Sequence, residues 1–480
     1  MTRPDALPPY LAQAHPRQMP WHIAMLAMNE GVPSPDPFGP FTYADLGCGM
    51  GLTAAMVAAL HPQAEVIGLD VHPGMIDAAR RMAAETGLDN LRFDVADFTG
   101  SADHASGCDF VSAHGVATWM PAEALASLRA SAARMLAPGG LLHLTGNMAP
   151  GWASIAPLRE AARRADPGES TPLGPRVAAA AEAMRGPAEG RYGERHAAAA
   201  EIWARVRQER ASYFLHEFLT DHWRPVMPSE LIATFEGDGW AWIGPKIATP
   251  RPGEDLAAAE DRVALEQAHN FRDFVFRRPG TLPAHALADL PWDREIAALK
   301  PGPLASPDPS MSEQAAAALA RPQMRRADLL FRPEFTDEDR AALAEALAQG
   351  LKSRALSPRL APADATDPPA DGPVVLRSAL TAWTLAQPDA VIWGAHVAAR
   401  HLASPMHLPP HIALLLRADA EGGDADPGAR ADELAEIHAR DATPPVVPGA
   451  AEPPRPSDAL DDYLHRWRPH LRRCGVTGPG

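Results

Sequence analysis

Three acids and three glycines stand where a chain alternating strand and helix brings them to one edge. The segment DLGCGMG holds Asp45, Gly47, Gly49 and Gly51. Glycines spaced this closely let a turn bend sharply and bring bare backbone against a ligand. Asp45, just ahead of the turn, supplies a negative charge whose complement is an ammonium and which opposes a phosphate. The GxGxG spacing also differs from the GxGxxG of dinucleotide sites, whose turn amides face a pyrophosphate. Asp70 ends EVIGLD, 19 positions beyond Gly51, and is placed to accept hydrogen bonds from two ribose hydroxyls. Asp97, in DVADF, can accept from an exocyclic adenine amine, with Phe98 beside it as a further ligand contact. The alternative assigns the glycines to tight packing and the acids to helix caps.

Positioning such groups requires strands that end together. Residues 41–46 form an apolar run before the glycine turn, and 52–60 an alanine-rich helix that stops before Pro62. A strand follows over 65–70, a helix over 74–86 ending at Gly87, and a strand over 91–95. The cycle repeats with a strand at 110–116, a helix at 123–136 closed by the turn signal Pro138-Gly139-Gly140, and a strand at 141–145. This alternation predicts an α/β fold over 1–150, a Rossmann-like doubly wound sheet with ligands at the carboxyl ends of its strands. An ammonium, a ribose and an adenine held along that edge describe S-adenosylmethionine.

DLGCGMG, EVIGLD, DVADF and LAPGGLLHL, in that order over 41–145, resemble the class I S-adenosylmethionine-dependent methyltransferases. A narrower resemblance lies in HGVATWMP, GNMAPGW and HEFLTDHWRPV, with FRDFVFRR at 271–278. These are similar to bacterial methyltransferases that carry a methyltransferase regulatory domain, a group that includes protein-lysine methyltransferases. The resemblance covers 10–278. It implies a helical insertion over 151–215, a small α+β regulatory-type domain over 216–300, and a protein side chain, lysine first, as methyl acceptor. A small-molecule acceptor and a non-catalytic cofactor-binding module are the alternatives. Two positions depart from the family pattern: Ala117 and Gly146 stand where relatives carry aromatic residues, usually tyrosine.

Methyl transfer depends on positioning and exclusion of water more than on a strong base. His114 and Trp119 follow the fourth strand, where acceptor meets cofactor in this fold; His114 could take a proton or orient the acceptor, and Trp119 could wall the pocket or hold a cation over its face. Asn147, past the fifth strand, is a third candidate, with a turn cap as its alternative. His216 and Glu217 are adjacent and do not share a helix face, so a structural role is expected for both. Trp240 and Trp242 alternate about Ala241 and read as core, after a short helix capped by Ser229. No Asn-Pro-Pro-aromatic tetrapeptide follows the fourth strand, and Cys108 has no preceding proline, so nucleic acid is not an expected partner. No HExxH or close His/carboxylate set suggests a metal.

The 480 residues carry 44 basic and 60 acidic side chains, a net charge of −16 that repels nucleic acid and anionic membranes. Cys48, Cys108 and Cys474 are too few for a disulfide framework. With no exported-type start and no apolar run of about 18 residues, a soluble cytoplasmic protein is expected. Proline, at 51 residues, is about twice its usual share of ~5%, and proline-rich stretches at 300–309, 357–373 and 444–456 read as linkers. The last part, 310–480, is expected to be mainly helical. Thr336 and Asp339 form a capping signal there. Leu460, Tyr463, Leu464, Trp467 and Leu471 form an apolar stripe that packs on the same chain or on a second copy in a homodimer.

Overall fold

The computed structural model describes residues 12–278 except Thr99, then Gly280, 298–299, 324–325, 336, 339, 375–376, 378–387, 395–399, 404–422, 460, 463–473 and 476–478. They form two compact units, one built mainly on residues before 287 and the other mainly on residues after it.

In the first unit a lone helix α1 (Pro20–Asn29) precedes the alternating part. That part runs β1 (Thr42–Leu46), α2 (Leu52–Leu60), β2 (Glu65–Asp70), α3 (Pro73–Thr86), β3 (Leu91–Val95), β4 (Cys108–Ala113), α4 (Ala122–Met135) and β5 (Leu136–Asn147). Small, apolar side chains let α2 bury every residue from Leu52 to Ala58, as a helix without a polar face must. His72 caps α3, its Nδ1 accepting from the Met75 amide at 3.2 Å. Gly87 closes the same helix at φ 65°, a left-handed backbone that glycine adopts without strain.

Among the boundaries that differ from the sequence reading, two change the geometry. The fourth strand ends at Ala113 rather than 116, which leaves His114 to Val116 in a connecting turn. The expected turn at Pro138-Gly139-Gly140 is instead the irregular start of β5, whose register against β4 shifts between Cys108 and Phe110. A Cβ on Gly140 would stand 2.9 Å from the Cys108 carbonyl, so glycine here lets two strands close up rather than letting the chain reverse.

The sheet order is β3-β2-β1-β4-β5-β7-β6. Strands β1 to β5 are parallel, and β7 (Phe271–Arg277) runs antiparallel to both β5 and β6 (Ala241–Gly244). The chain winds from β1 out to β3 and then crosses to β4, so the strand order reverses between β1 and β4, where crevices form in such sheets. The segment read as a separate α+β domain thus supplies two strands of this same sheet. The reason lies in β7: Phe274, Val275 and Phe276 are all fully buried, so the strand has no face to give to solvent and must sit between partners. Trp240 and Trp242 belong to that core, as their alternation suggests. Two helices, α11 (Pro228–Glu236) and α12 (Leu256–Glu266), flank the added strands. Met227, not Ser229, occupies the cap position of α11; the Ser229 hydroxyl donates to Asp261 Oδ2 at 2.6 Å and ties α11 to α12.

Between β5 and α11 lies the helical insertion: α5 (Ala149–Trp152), α6 (Ala156–Ala165), α7 (Leu173–Glu189), α8 (Arg191–Arg195), α9 (Ala197–Val206) and α10 (Ala211–Phe214), followed directly by one π turn, Leu215–Leu219. The break after α6 is held by Arg176, which bonds both oxygens of Asp166 at 2.9 and 2.7 Å.

In the second unit, helices Ala379–Leu385 and Pro410–Gly422 and the antiparallel pair Ala395–Ala399 and Ser404–Leu408 share a core. The apolar stripe packs on this chain itself: Tyr463 and Leu471 are fully buried in that core, and the Tyr463 hydroxyl donates to Asp419 at 2.7 Å. Thr336 and Asp339 exchange the reciprocal bonds of a helix cap, both at 3.1 Å; the helix expected after them, like the proline-rich linkers, lies outside the described residues. No helix among the described residues is long and apolar enough to cross a membrane.

Candidate active site

The carboxyl ends of β1, β2, β4 and β5 and the helical insertion enclose a cavity of about 870 Å³. Asp45, Gly47, Gly49, Asp70, Asp97 and Phe98 all line it. Asp45 is 2% exposed, and its Oδ1 accepts from Gln18 Nε2 at 2.9 Å. Burial pushes its carboxyl up to about 7, against the opposing pull of the Gln18 bond. Asp70 Oδ2 accepts from the Gly49 amide at 2.8 Å and Oδ1 from the His72 amide at 2.9 Å, so this acid locks the glycine turn to the start of α3. Asp97 is exposed and its Oδ1 accepts from the Gly100 amide at 2.9 Å. Two of the acids hold backbone amides, though neither caps a helix, and all three line one cavity.

The glycines divide. Gly47 has φ 76°, and a Cβ on it would lie 2.6 Å from Val116 Cγ1. Gly51 does not line the cavity; a Cβ there would strike the Phe93 ring at 2.4 Å. Its smallness serves packing of the turn against β3, not ligand contact. As a set, these residues fit S-adenosylmethionine: a buried acid suits an ammonium, an acid at the end of β2 has lone pairs left for hydroxyls, and no lysine or arginine lies in the glycine turn to hold a phosphate.

Beyond the turn the same cavity is lined by His114, Trp119 and Asn147, so the structure brings together all three residues read as acceptor-side candidates. His114 stacks on His15 with centroids 4.0 Å apart and lies near the Phe271 ring at 5.3 Å. Its Nδ1 is 3.1 Å from Thr145 Oγ1. Burial, reinforced by the neighbouring His15 and His143, holds it well below the usual imidazole range. It is neutral near pH 7 and a poor proton acceptor. Asn147, the last residue of β5, accepts nothing through its amide nitrogen; Nδ2 donates to Glu217 Oε1 at 3.3 Å. The two departures from the family pattern meet here, since a Cβ on Gly146 would lie 3.7 Å from Ala117 Cβ.

Glu217 and Gln18 also line the cavity, and the sequence did not place them there. α-Helical spacing separates the adjacent His216 and Glu217, but both sit in the π turn and line the cavity together with Tyr213. A π turn has more residues per turn than an α-helix, so adjacent side chains diverge less; such turns recur at functional sites. Glu217 is 5% exposed, and burial raises its carboxyl to about 8. Gln18 lies in a segment with no motif. Its Nε2 donates to Asp45 and also to Ser112 Oγ at 3.1 Å, Ser112 Oγ is 3.0 Å from His143 Nδ1, and His143 Nε2 is 3.0 Å from Asp273 Oδ1. Burial alone would raise Asp273, but the His143 bond and the Arg17 charge outweigh it and hold the carboxyl well below its usual range. A line of bonds across β1, β4, β5 and β7 thus ends on the buried Asp45. Among the described residues no group of three or more His, Cys, Asp or Glu could hold a metal ion.

Comparison with known proteins agrees with this geometry. Residues 44–140 match a family model described as a methyltransferase domain. An uncharacterized protein of Synechocystis sp. is 23% identical over 220 residues, 45% of this chain and 44% of that protein. The trans-aconitate 2-methyltransferase of Methylobacterium nodulans is 39% identical over 103 residues, 22% of this chain and 37% of the relative. The chain thus spans less than half the length of either curated relative. PKMT2 from Rickettsia typhi, solved in complex with AdoHcy, shares the fold with a TM-score of 0.61 over 98% of this chain and all of that one, at 13% identity. Residues 44–140, with their glycine turn and three strand-end acids, are the S-adenosylmethionine-dependent methyltransferase domain of this chain, and it is of the class I kind.

Proposed function

We propose that the whole chain is an S-adenosylmethionine-dependent methyltransferase whose acceptor is a protein side chain, lysine first. The observation that carries this reading is the continuity of one cavity from Asp45, Asp70 and Asp97 to Trp119, Asn147 and Glu217. Its volume is near the upper end of the ~300–1,000 Å³ usual for small-molecule sites, so it has room for a cofactor and the tip of an acceptor. Asp45 holds the ammonium of the cofactor, Asp70 its ribose, and Asp97 with Phe98 its adenine. When bound, the cofactor supplies a methyl group on a positively charged sulfur that leaves as a neutral thioether. The protein's own work is to orient the acceptor and keep water out.

A side-chain amine suits the far end. Two aromatic residues that favour a cation, Trp119 and Tyr213, line the cavity, whereas Arg176, which also lines it, is already engaged by Asp166. Agreement of fold with PKMT2 over nearly the whole chain supports a protein acceptor, while the match to trans-aconitate 2-methyltransferase covers only 22% of this chain. The test is incubation with cofactor labelled in the methyl group and cell extract, followed by size separation. Label in the protein fraction, lost with boiled enzyme, is the expected result; label in the small-molecule fraction alone overturns the protein acceptor. No acceptor-dependent S-adenosylhomocysteine from either fraction points to a non-catalytic binding module.

A further inference from the structure

The π turn Leu215–Leu219 is built to present a carboxylate. Arg159, 6% exposed on α6, donates from Nε to the Glu217 carbonyl at 3.4 Å and from Nη2 to the Thr220 carbonyl, and its guanidinium lies 5.0 Å over the Trp223 ring. The turn is thereby fixed from behind. In front, Asn147 engages only Oε1 of Glu217. The charged and titratable groups that face this carboxylate are Arg159 on α6, Arg205 on α9 and Tyr213 on α10, and neither arginine bonds its oxygens among the described residues.

We propose that Glu217 binds the methyl acceptor as an ammonium and takes its proton, so that this cavity admits amines and turns away carboxylates. The inference rests on the methyltransferase reading above and names the acceptor class for the same site. A lysine-like amine has a free pKa of about 10.4 and enters as R–NH3+. One proton passes from its nitrogen to a Glu217 oxygen, leaving R–NH2 with the lone pair that methylation requires; the proton then leaves Glu217 for water. His114 cannot substitute, being wedged against His15 and kept neutral. Burial holds Glu217 protonated up to about pH 8 in the empty cavity, and an entering cation releases that proton by supplying the missing countercharge. A carboxylate acceptor supplies no such countercharge, leaves Glu217 protonated and has no nitrogen lone pair to free.

The experiment needs no turnover. The full chain, saturated with S-adenosylhomocysteine, is titrated calorimetrically at pH 7 with n-butylamine and with butyrate, in two buffers of different ionisation heat. Wild type is expected to bind butylammonium about tenfold or more tightly than butyrate, roughly the worth of one charged hydrogen bond, and to release up to one proton. Glu217→Gln should lose both the preference and the proton release while binding S-adenosylhomocysteine within about twofold of wild type; Glu217→Asp should retain the preference. An unchanged preference in Glu217→Gln, a wild type favouring butyrate, or one that binds neither probe overturns the inference and leaves the cofactor reading standing. Failure of wild type to bind S-adenosylhomocysteine overturns both.

Discussion

At the scale of single residues, chemistry and structure share the same atoms. Asp70 holds the amides of Gly49 and His72 while facing the cavity. Asp70→Ala should weaken S-adenosylhomocysteine binding by about 1–3 kcal/mol, the usual cost of leaving polar partners unpaired; calorimetry giving wild-type affinity would remove its ribose role. Glu217 makes a prediction about pH. Its folded carboxyl titrates near 8 and its unfolded one at about 4.5. Between those values the folded state holds a proton that the unfolded state has lost, so this group's stabilising contribution is complete below the lower value and disappears as pH rises through the upper one. Thermal unfolding of Glu217→Gln should therefore compare more favourably with wild type at pH 8 than at pH 5. A gap that does not change with pH would mean that the carboxyl is not shifted.

At the scale of elements, much was legible because local rules decide it. Three spans, 52–60, 65–70 and 91–95, coincide with the observed α2, β2 and β3: proline, glycine and runs of apolar residues mark their ends without help from the rest of the chain. The errors fall where a neighbouring strand intervenes. Pro138-Gly139-Gly140 reads as a turn, yet pairing with β4 draws it into β5. Gly51 likewise reads as a ligand contact, but its missing Cβ makes room for the Phe93 ring of β3. Gly51→Ala should cost about 1–3 kcal/mol through overpacking, visible as a lower melting temperature, and Phe93→Leu in the same chain should recover part of the loss. If the double variant is no better than the single one, the strain lies in the positive φ of 77° and not in the ring.

At the scale of the first unit, the late segment that adds β6 and β7 to the sheet is tied to its own flanking helix by a buried ion pair. Arg272, in β7, meets Glu260, in α12, at 2.6 Å with side chains 3% and 0% exposed. The other Glu260 oxygen accepts from the amides of Ile247 and Ala248 at 2.9 and 3.1 Å. Breaking such a pair leaves an uncompensated buried charge and typically costs about 3–5 kcal/mol, whereas replacing both partners by apolar groups is often nearly neutral. Glu260→Ala should lower the denaturation midpoint accordingly, and Glu260→Leu with Arg272→Met should restore most of it. Equal losses in the single and double variants would argue that the amide bonds, not the charge, carry the effect.

The amino-acid sequence by itself determined the alternating elements, the glycine turn and the three acids of the cofactor end, because each is encoded within a few neighbouring residues. Only the tertiary structure decided that 241–277 completes the main sheet, that Gln18 reaches Asp45 across 27 positions, and that Asn147 meets Glu217 across 70. These contacts depend on burial and on pairing between distant segments, which spacing along a chain does not carry. His114, Trp119 and Asn147 are legible as lining residues because each stands at or after the end of a strand, whereas Gln18 and Glu217 stayed hidden because only such contacts bring them to the cavity.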